Sequence, residues 1–213
     1  MPTHGLLLQL RRRALLVAWG VIALIGMLML SRHQWTPSQA SGAEFPPSTL
    51  PVRLISAANS NRATLMIFVH PHCPCSTASI RQLSRYLTKF GDRVSATALF
   101  VVPPGAKADW ARSQLWQEAS LIPGLRIATD GDGKIAASLG VVASGHVVLY
   151  SAQGRLLFSG GITAGRGHEG ANDGLSALEA STIDGAWRPT APVFGCELGI
   201  PNRLNSEPGS VVQ

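Results

Sequence analysis

The feature that most constrains this chain is the stretch at residues 65–76, L-M-I-F-V-H-P-H-C-P-C-S. An apolar run of strand type stops at His70, and two histidines and two cysteines follow within six residues, stiffened by Pro71 and Pro74. Residues 77–90 then place Ile80, Leu83, Leu87 and Phe90 at helical spacing. The pattern predicts a buried strand, a cysteine-bearing turn and an amphipathic helix. A thiol at a helix start meets free backbone N–H groups and the positive end of the macrodipole, so its thiolate is stabilised. Three cysteines are too few for a disulfide scaffold, and two of them are one residue apart, which points to chemistry or a metal.

Upstream, Arg11-Arg12-Arg13 precede an uncharged run over residues 14–30. Those residues reach the short end of a membrane-spanning helix, and arginines before the run keep residues 1–13 in the cytoplasm and export the remainder. The expectation is an uncleaved signal anchor, with a cleaved signal peptide as the competing reading. Either way the remainder lies on the extracytoplasmic, periplasmic side, where disulfides persist. The net charge of +6 belongs mostly to this end. Beyond residue 32 fourteen Lys and Arg face twelve Asp and Glu, with no basic stripe interleaved with aromatics, so no nucleic-acid partner is expected.

Residues 31–51, rich in Ser, Pro, Gly and Ala, read as a flexible linker, with the domain proper at 52–185 and a tail at 186–213. After the first strand and helix, 94–102 reads as a second buried strand and 106–120 as an amphipathic helix with Trp110 and Trp116 in the core. Residues 125–129 read as a short strand and 134–139 as a short helix. The D-G-D-G run at 130–133 reads as a turn, lacking the terminal Glu of a calcium loop. Residues 146–150 and 155–159 form a hairpin across S-A-Q-G. A glycine-rich loop spans 160–174, and a last helix 175–183. The order is that of an α/β domain, parallel strands first and an antiparallel hairpin last.

A cysteine turn at the end of the first strand, with a closing hairpin and helix, resembles the thioredoxin-like fold: a mixed central sheet flanked by helices, here carrying an N-terminal transmembrane helix. More narrowly, H-P-H-C-P-C-S at 70–76 and S-G-G-I-T-A-G-R-G-H-E-G-A-N-D-G at 159–174 resemble the thioredoxin-like RedB proteins. The resemblance implies a thiol–disulfide oxidoreductase with a protein or small-thiol redox partner and no cofactor. Cys73 would be the attacking thiolate and Cys75 the resolving partner. Two departures stand out. Thioredoxins hold two residues between their cysteines, whereas Cys73-Pro74-Cys75 holds one, so that disulfide would close a small ring and reduce easily. Thioredoxins also carry a cis-proline before the first hairpin strand, and the matching segment, A-S-G-H-V at 143–147, puts Gly145 or His146 there.

The same resemblance brings residues near His146 and the 160–170 loop toward the cysteines, so His146 and His168 are expected to tune a thiol or shuttle protons, with His72, Arg166 and Glu169 nearby. An alternative reading takes Cys73, Cys75 and His146 as ligands for copper or zinc, joined by His72, His168 or Cys196. This set is similar to that of the SCO-type copper assembly proteins, which hold three residues between their cysteines. A third reading is a membrane-anchored binding module without chemistry. Against these stand plainer roles: His70 as a structural strand end, His146 as a satisfied buried histidine, His168 as a solvated loop residue, Cys196 as packing, and Gly165, Gly167 and Gly170 as turn formers.

Overall fold

The computed structural model describes residues 3–38, 46–51, 61–107, 109–188 and 191–200. Two compact units result, Met1–Thr36 and Pro37–Gln213. The first is one helix, α1 (Thr3–Trp35). Within Gln9–Trp35 the most apolar 18-residue window has a mean hydropathy of 2.4, and Leu16, Val17, Trp19, Ile22 and Leu28 stand exposed. A helix apolar on all sides is suited to a lipid surround, and this one is long enough to cross a bilayer. It runs past the expected 14–30 because no proline falls between Pro2 and Pro37 to interrupt it.

The second unit is an α/β domain of thioredoxin-like plan. Its elements are β1 (Ala63–Val69), α2 (Pro74–Phe90), β2 (Val94–Val102), α3 (Gln114–Ser120), β3 (Leu125–Gly131), α4 (Lys134–Ser138), β4 (His146–Tyr150), β5 (Leu156–Gly161) and α5 (Asp173–Asp184). The sheet order is β3-β2-β1-β4-β5. Strands β1, β2 and β3 are parallel, β4 pairs antiparallel with β1, and β5 pairs antiparallel with β4 at the sheet edge. Because both faces are covered, β1 reads as a continuous apolar run without alternation.

The pleat sorts the side chains into two cores. Leu65, Ile67, Val69, Val147 and Leu149 pack with Ile80, Leu83 and Leu87 of α2 and Leu178 of α5. On the other face Met66, Phe68, Leu99, Val101, Val148 and Tyr150 pack with Ala136 of α4 and with Leu139, Leu50 and Leu198. The last two come from segments expected to be linker and tail. Leu50 N–H donates to Gly154 O at 2.7 Å and Leu156 N–H to Ser48 O at 2.8 Å, so residues 48–50 close the hairpin's flank. At its other end the expected linker is helix, since residues 31–35 continue α1; residues 39–45 and the expected fraying after Pro201 lie outside the described residues.

Two local expectations are corrected. Only Gln114–Ser120 of the expected 106–120 helix forms, because Ser113 caps it by accepting the Trp116 N–H, and described residues before it make turns. Trp110 accordingly leaves the core and stands 36% exposed. Asp130 explains the D-G-D-G turn: its buried carboxylate accepts the N–H groups of Ile135 and Ala136, both at 2.8 Å, and so caps α4.

Candidate functional site

The site grows from the C-terminal end of β1. His70 leaves the strand, and Cys73 becomes the N-cap residue of α2 with extended backbone, while Pro74 takes the first helical position, where no N–H is needed. Cys73 N–H donates to His70 O at 3.2 Å, which closes the turn. Ser144 clamps it from the loop before β4. Its Oγ accepts the His70 N–H at 2.8 Å and lies 2.7 Å from Ser76 Oγ. Beside it Gly145 N–H donates to Phe68 O at 2.7 Å. Gly145 has φ +81°, and a Cβ there would sit 2.6 Å from Ser79 Oγ, so glycine is demanded both by backbone and by space.

The Cys73 sulfur is bonded to Cys196, 123 residues away, with the two Cα atoms 6.2 Å apart. The expected Cys73–Cys75 pairing is therefore corrected: Cys75 is a free, half-buried thiol. The reason is helical geometry. Residues two apart at a helix start diverge around its axis and do not face each other. Cys73 is only 3% exposed, whereas Cys196 is half-buried, so Cys196 is the more exposed residue of the pair.

Cys196 is delivered by a C-terminal strap. Residues 191–193 run beside β5, where Gly160 and Gly161 leave room for the backbone of Ala191 and Pro192. The strap then crosses to the loop before β4. Ser144 N–H donates to Cys196 O at 2.8 Å, Leu198 N–H donates to Val142 O at 2.9 Å, and Glu197 bridges antiparallel to Ala143. Gly195 lies against the Ser144 carbonyl so closely that any Cβ would collide with it. Leu198 is wholly buried and anchors the strap in the α4-side core. Arg166 Nη1 donates to Gly195 O at 2.5 Å, and Ser38 Oγ accepts the Gly195 N–H at 3.0 Å.

The histidines fall into different places. His72 is exposed, its Nε2 3.2 Å from Trp110 O and its ring 4.5 Å from the indole; its N–H donates to His70 Nδ1 at 3.2 Å. Burial, then the neighbouring His72 charge, lowers the His70 pKa. His146 does not join the thiols in the way expected. The alternation of β4 puts it with Val148 and Tyr150 on the face opposite α2, and its Nε2 lies 2.8 Å from Ser159 Oγ. Burial alone lowers its pKa to about 4, so it is neutral at pH 7. His168 closes a tight turn by donating its N–H to Gly165 O at 3.2 Å. Its loop is tied to α2 by Glu169, which pairs with Arg85 at 2.6 Å and Arg81 at 3.4 Å, and by buried Gln82, which donates to Gly170 O at 2.7 Å. The loop residue that does reach the strap is Arg166.

The ligand set Cys73, Cys75 and His146 is not assembled, since one thiol is in a disulfide and the imidazole is on the opposite face. Among the described residues no three His, Cys, Asp or Glu side chains are grouped to hold a metal ion. Sequence reasoning missed Ser144, Leu198 and the strap's backbone pairing. The signals were faint: a third cysteine preceded by glycine and followed two residues on by leucine. Beside the disulfide a groove is lined by Pro71, His72, Pro74, Thr77, Gln114 and Glu118.

No family model matches the chain, and no curated protein does. Solved structures do. A hypothetical protein from Sinorhizobium meliloti aligns over 78% of this chain and 95% of its own, at 16% identity and a TM-score of 0.56. An uncharacterized conserved protein from Geobacillus kaustophilus aligns over 83% and 92%, at 15% identity and a TM-score of 0.55. A secreted disulfide oxidoreductase from Mycobacterium tuberculosis aligns over 71% and 98%, at 22% identity and a TM-score of 0.44. At such identities the likeness extends to the fold and no further.

Proposed function

We propose that this chain is a membrane-anchored, extracytoplasmic thiol–disulfide redox protein whose two-electron couple is Cys73–Cys196. The observation that carries the reading is a disulfide joining a helix N-cap to a strap held by few side chains. Reduction can therefore separate the two sulfurs without unfolding the sheet. The location follows from α1, the arginines before its apolar run, and an environment in which a disulfide persists.

In the oxidised protein the thiolate of a partner dithiol attacks Sγ of Cys196, the more exposed residue of the pair. The Cys73–Cys196 bond breaks, and Cys73 leaves as a thiolate at the N-terminus of a 17-residue helix, where backbone N–H groups favour it. The partner's second thiol gives up its proton and attacks the partner's own sulfur in the mixed disulfide. Cys196 leaves and takes a proton. The partner ends as a disulfide and this chain as a dithiol, so two electrons have passed. No step uses His146; Cys75 is a bystander able to intercept a mixed disulfide.

The test is equilibration of the full chain with glutathione buffers of graded poise, followed by alkylation. The couple should titrate within the range of exchange-active disulfides, about −120 to −270 mV. A disulfide still intact at about −300 mV would be a structural staple, and the redox reading would fall. A Cys75→Ser variant should titrate like the parent, and Cys196→Ser should not titrate.

A further inference from the structure

The strap sits on the site as a polypeptide substrate would. Its residues 195–198, G-C-E-L, bend at Gly195 and then bridge antiparallel to Ala143 through Glu197, with the cysteine disulfide-bonded to Cys73. Its main chain makes two hydrogen bonds to the loop before β4, Ser144 N–H to Cys196 O and Leu198 N–H to Val142 O. Gly195 fits where a Cβ would strike the Ser144 carbonyl, and Leu198 fills an apolar berth in the α4-side core. Main-chain pairing of this kind accepts any extended segment, and selectivity comes from the alternate side chains.

We propose that the strap is a resident pseudo-substrate, and that the partner of this site is an extended polypeptide segment carrying the same pattern: glycine before the cysteine and an apolar residue two after it. The inference rests on the redox reading above and names its substrate class. In the reduced chain a partner segment, disulfide-bonded to a second cysteine, displaces the strap. The Cys73 thiolate attacks the segment's docked sulfur, and the second cysteine leaves as a thiolate. Cys196, returning on the strap, loses its proton and attacks Cys73 Sγ, expelling the segment's thiolate, which is protonated. The partner disulfide is reduced to two thiols, Cys73–Cys196 is re-formed, and a dithiol donor must restore it.

The experiment uses the full chain in detergent with Cys75→Ser and Cys196→Ser, leaving Cys73 as its one thiol. The probe is the peptide V-F-G-C-E-L-G-I, its cysteine activated as a mixed disulfide with thionitrobenzoate. Exchange joins the peptide sulfur to Cys73 and releases the coloured thionitrobenzoate anion, and mass spectrometry confirms the adduct. The peptide should react about tenfold or more faster than versions carrying Leu198→Ser or Gly195→Val, because each alteration removes about 1.4 kcal/mol or more of fit. Adding Leu198→Ser to the protein should loosen the competing strap and speed the unaltered peptide severalfold. If that variant fails to fold, as circular dichroism will show, the peptide series on the parent decides. Equal rates for all peptides, or an equal rate for activated glutathione, overturn the inference and leave the redox reading standing. A Cys73 that reacts with no disulfide reagent overturns both.

Discussion

Truncating Leu198 to alanine should make the Cys73–Cys196 couple easier to reduce. Leu198 is wholly buried, and it anchors the end of the strap beyond Cys196; the strap before Cys196 is held by pairing beside β5 and by Arg166 and Ser38, and two backbone hydrogen bonds tie residues 196–198 to the loop before β4. Cutting a buried leucine to alanine costs about 2–5 kcal/mol. The oxidised strap bears that loss in place, because the disulfide tethers it. The reduced strap escapes it by undocking. The difference enters the couple, and for two electrons about 30 mV corresponds to 1.4 kcal/mol, so the potential should rise by about 40 mV and by at most about 110 mV. The upper end is reached when the reduced strap undocks fully. The assay is titration against dithiothreitol or glutathione buffers, read by alkylation and mass. Leu121→Ala, at a leucine 81% exposed in the turn after α3, serves as the control and should leave the potential unchanged. A shift below about 10 mV for Leu198→Ala, in a variant whose thermal stability has fallen, would refute the coupling between strap docking and disulfide.

Three further outcomes are expected. Reducing the disulfide frees a loop of 123 residues, which by chain entropy lowers stability by about 5 kcal/mol; urea midpoints with and without reductant measure it. His146 has a folded pKa of about 4 against an ordinary 6.5, so between those values the unfolded chain takes up a proton that the folded chain refuses. Its contribution is complete above pH 6.5 and is lost as pH falls toward 4, at up to about 1.4 kcal/mol per pH unit. A His146→Gln variant should show a flatter stability profile over that window. Gly145→Ala forces a left-handed residue and a clash with Ser79 Oγ, and should cost about 1–2 kcal/mol or more, visible as a lower melting temperature.

Much of the fold is legible in residue patterns because each pattern has one physical cause. The apolar run at 63–69 is a strand covered on both faces, and Ile80, Leu83 and Leu87 fall on one helical stripe. Length and charge-free composition suffice for the middle of α1, residues 14–30, though not for its ends. What escapes is whatever depends on packing between distant segments. The pairing of Cys73 turns on where residue 196 is carried, and that is set by backbone pairing to Val142 and Ser144, which leaves no periodic trace. His146 illustrates the same limit. Its place at the start of β4 is readable, but the face it occupies depends on register against β1, and a one-residue shift would move it across the sheet. The strap itself is written only as two small signs, a glycine before a cysteine and a leucine after it.

Which sulfurs are joined decides the chemistry of this site, and a proteolytic peptide map of the full chain, prepared without reductant and with free thiols blocked, tests this most directly. It should yield one disulfide-linked pair containing Cys73 and Cys196, with Cys75 carrying the blocking group; brief reduction should add label at Cys73 and Cys196 alone. A Cys73–Cys75 linkage, or three cysteines labelled alike before and after reduction, would contradict it.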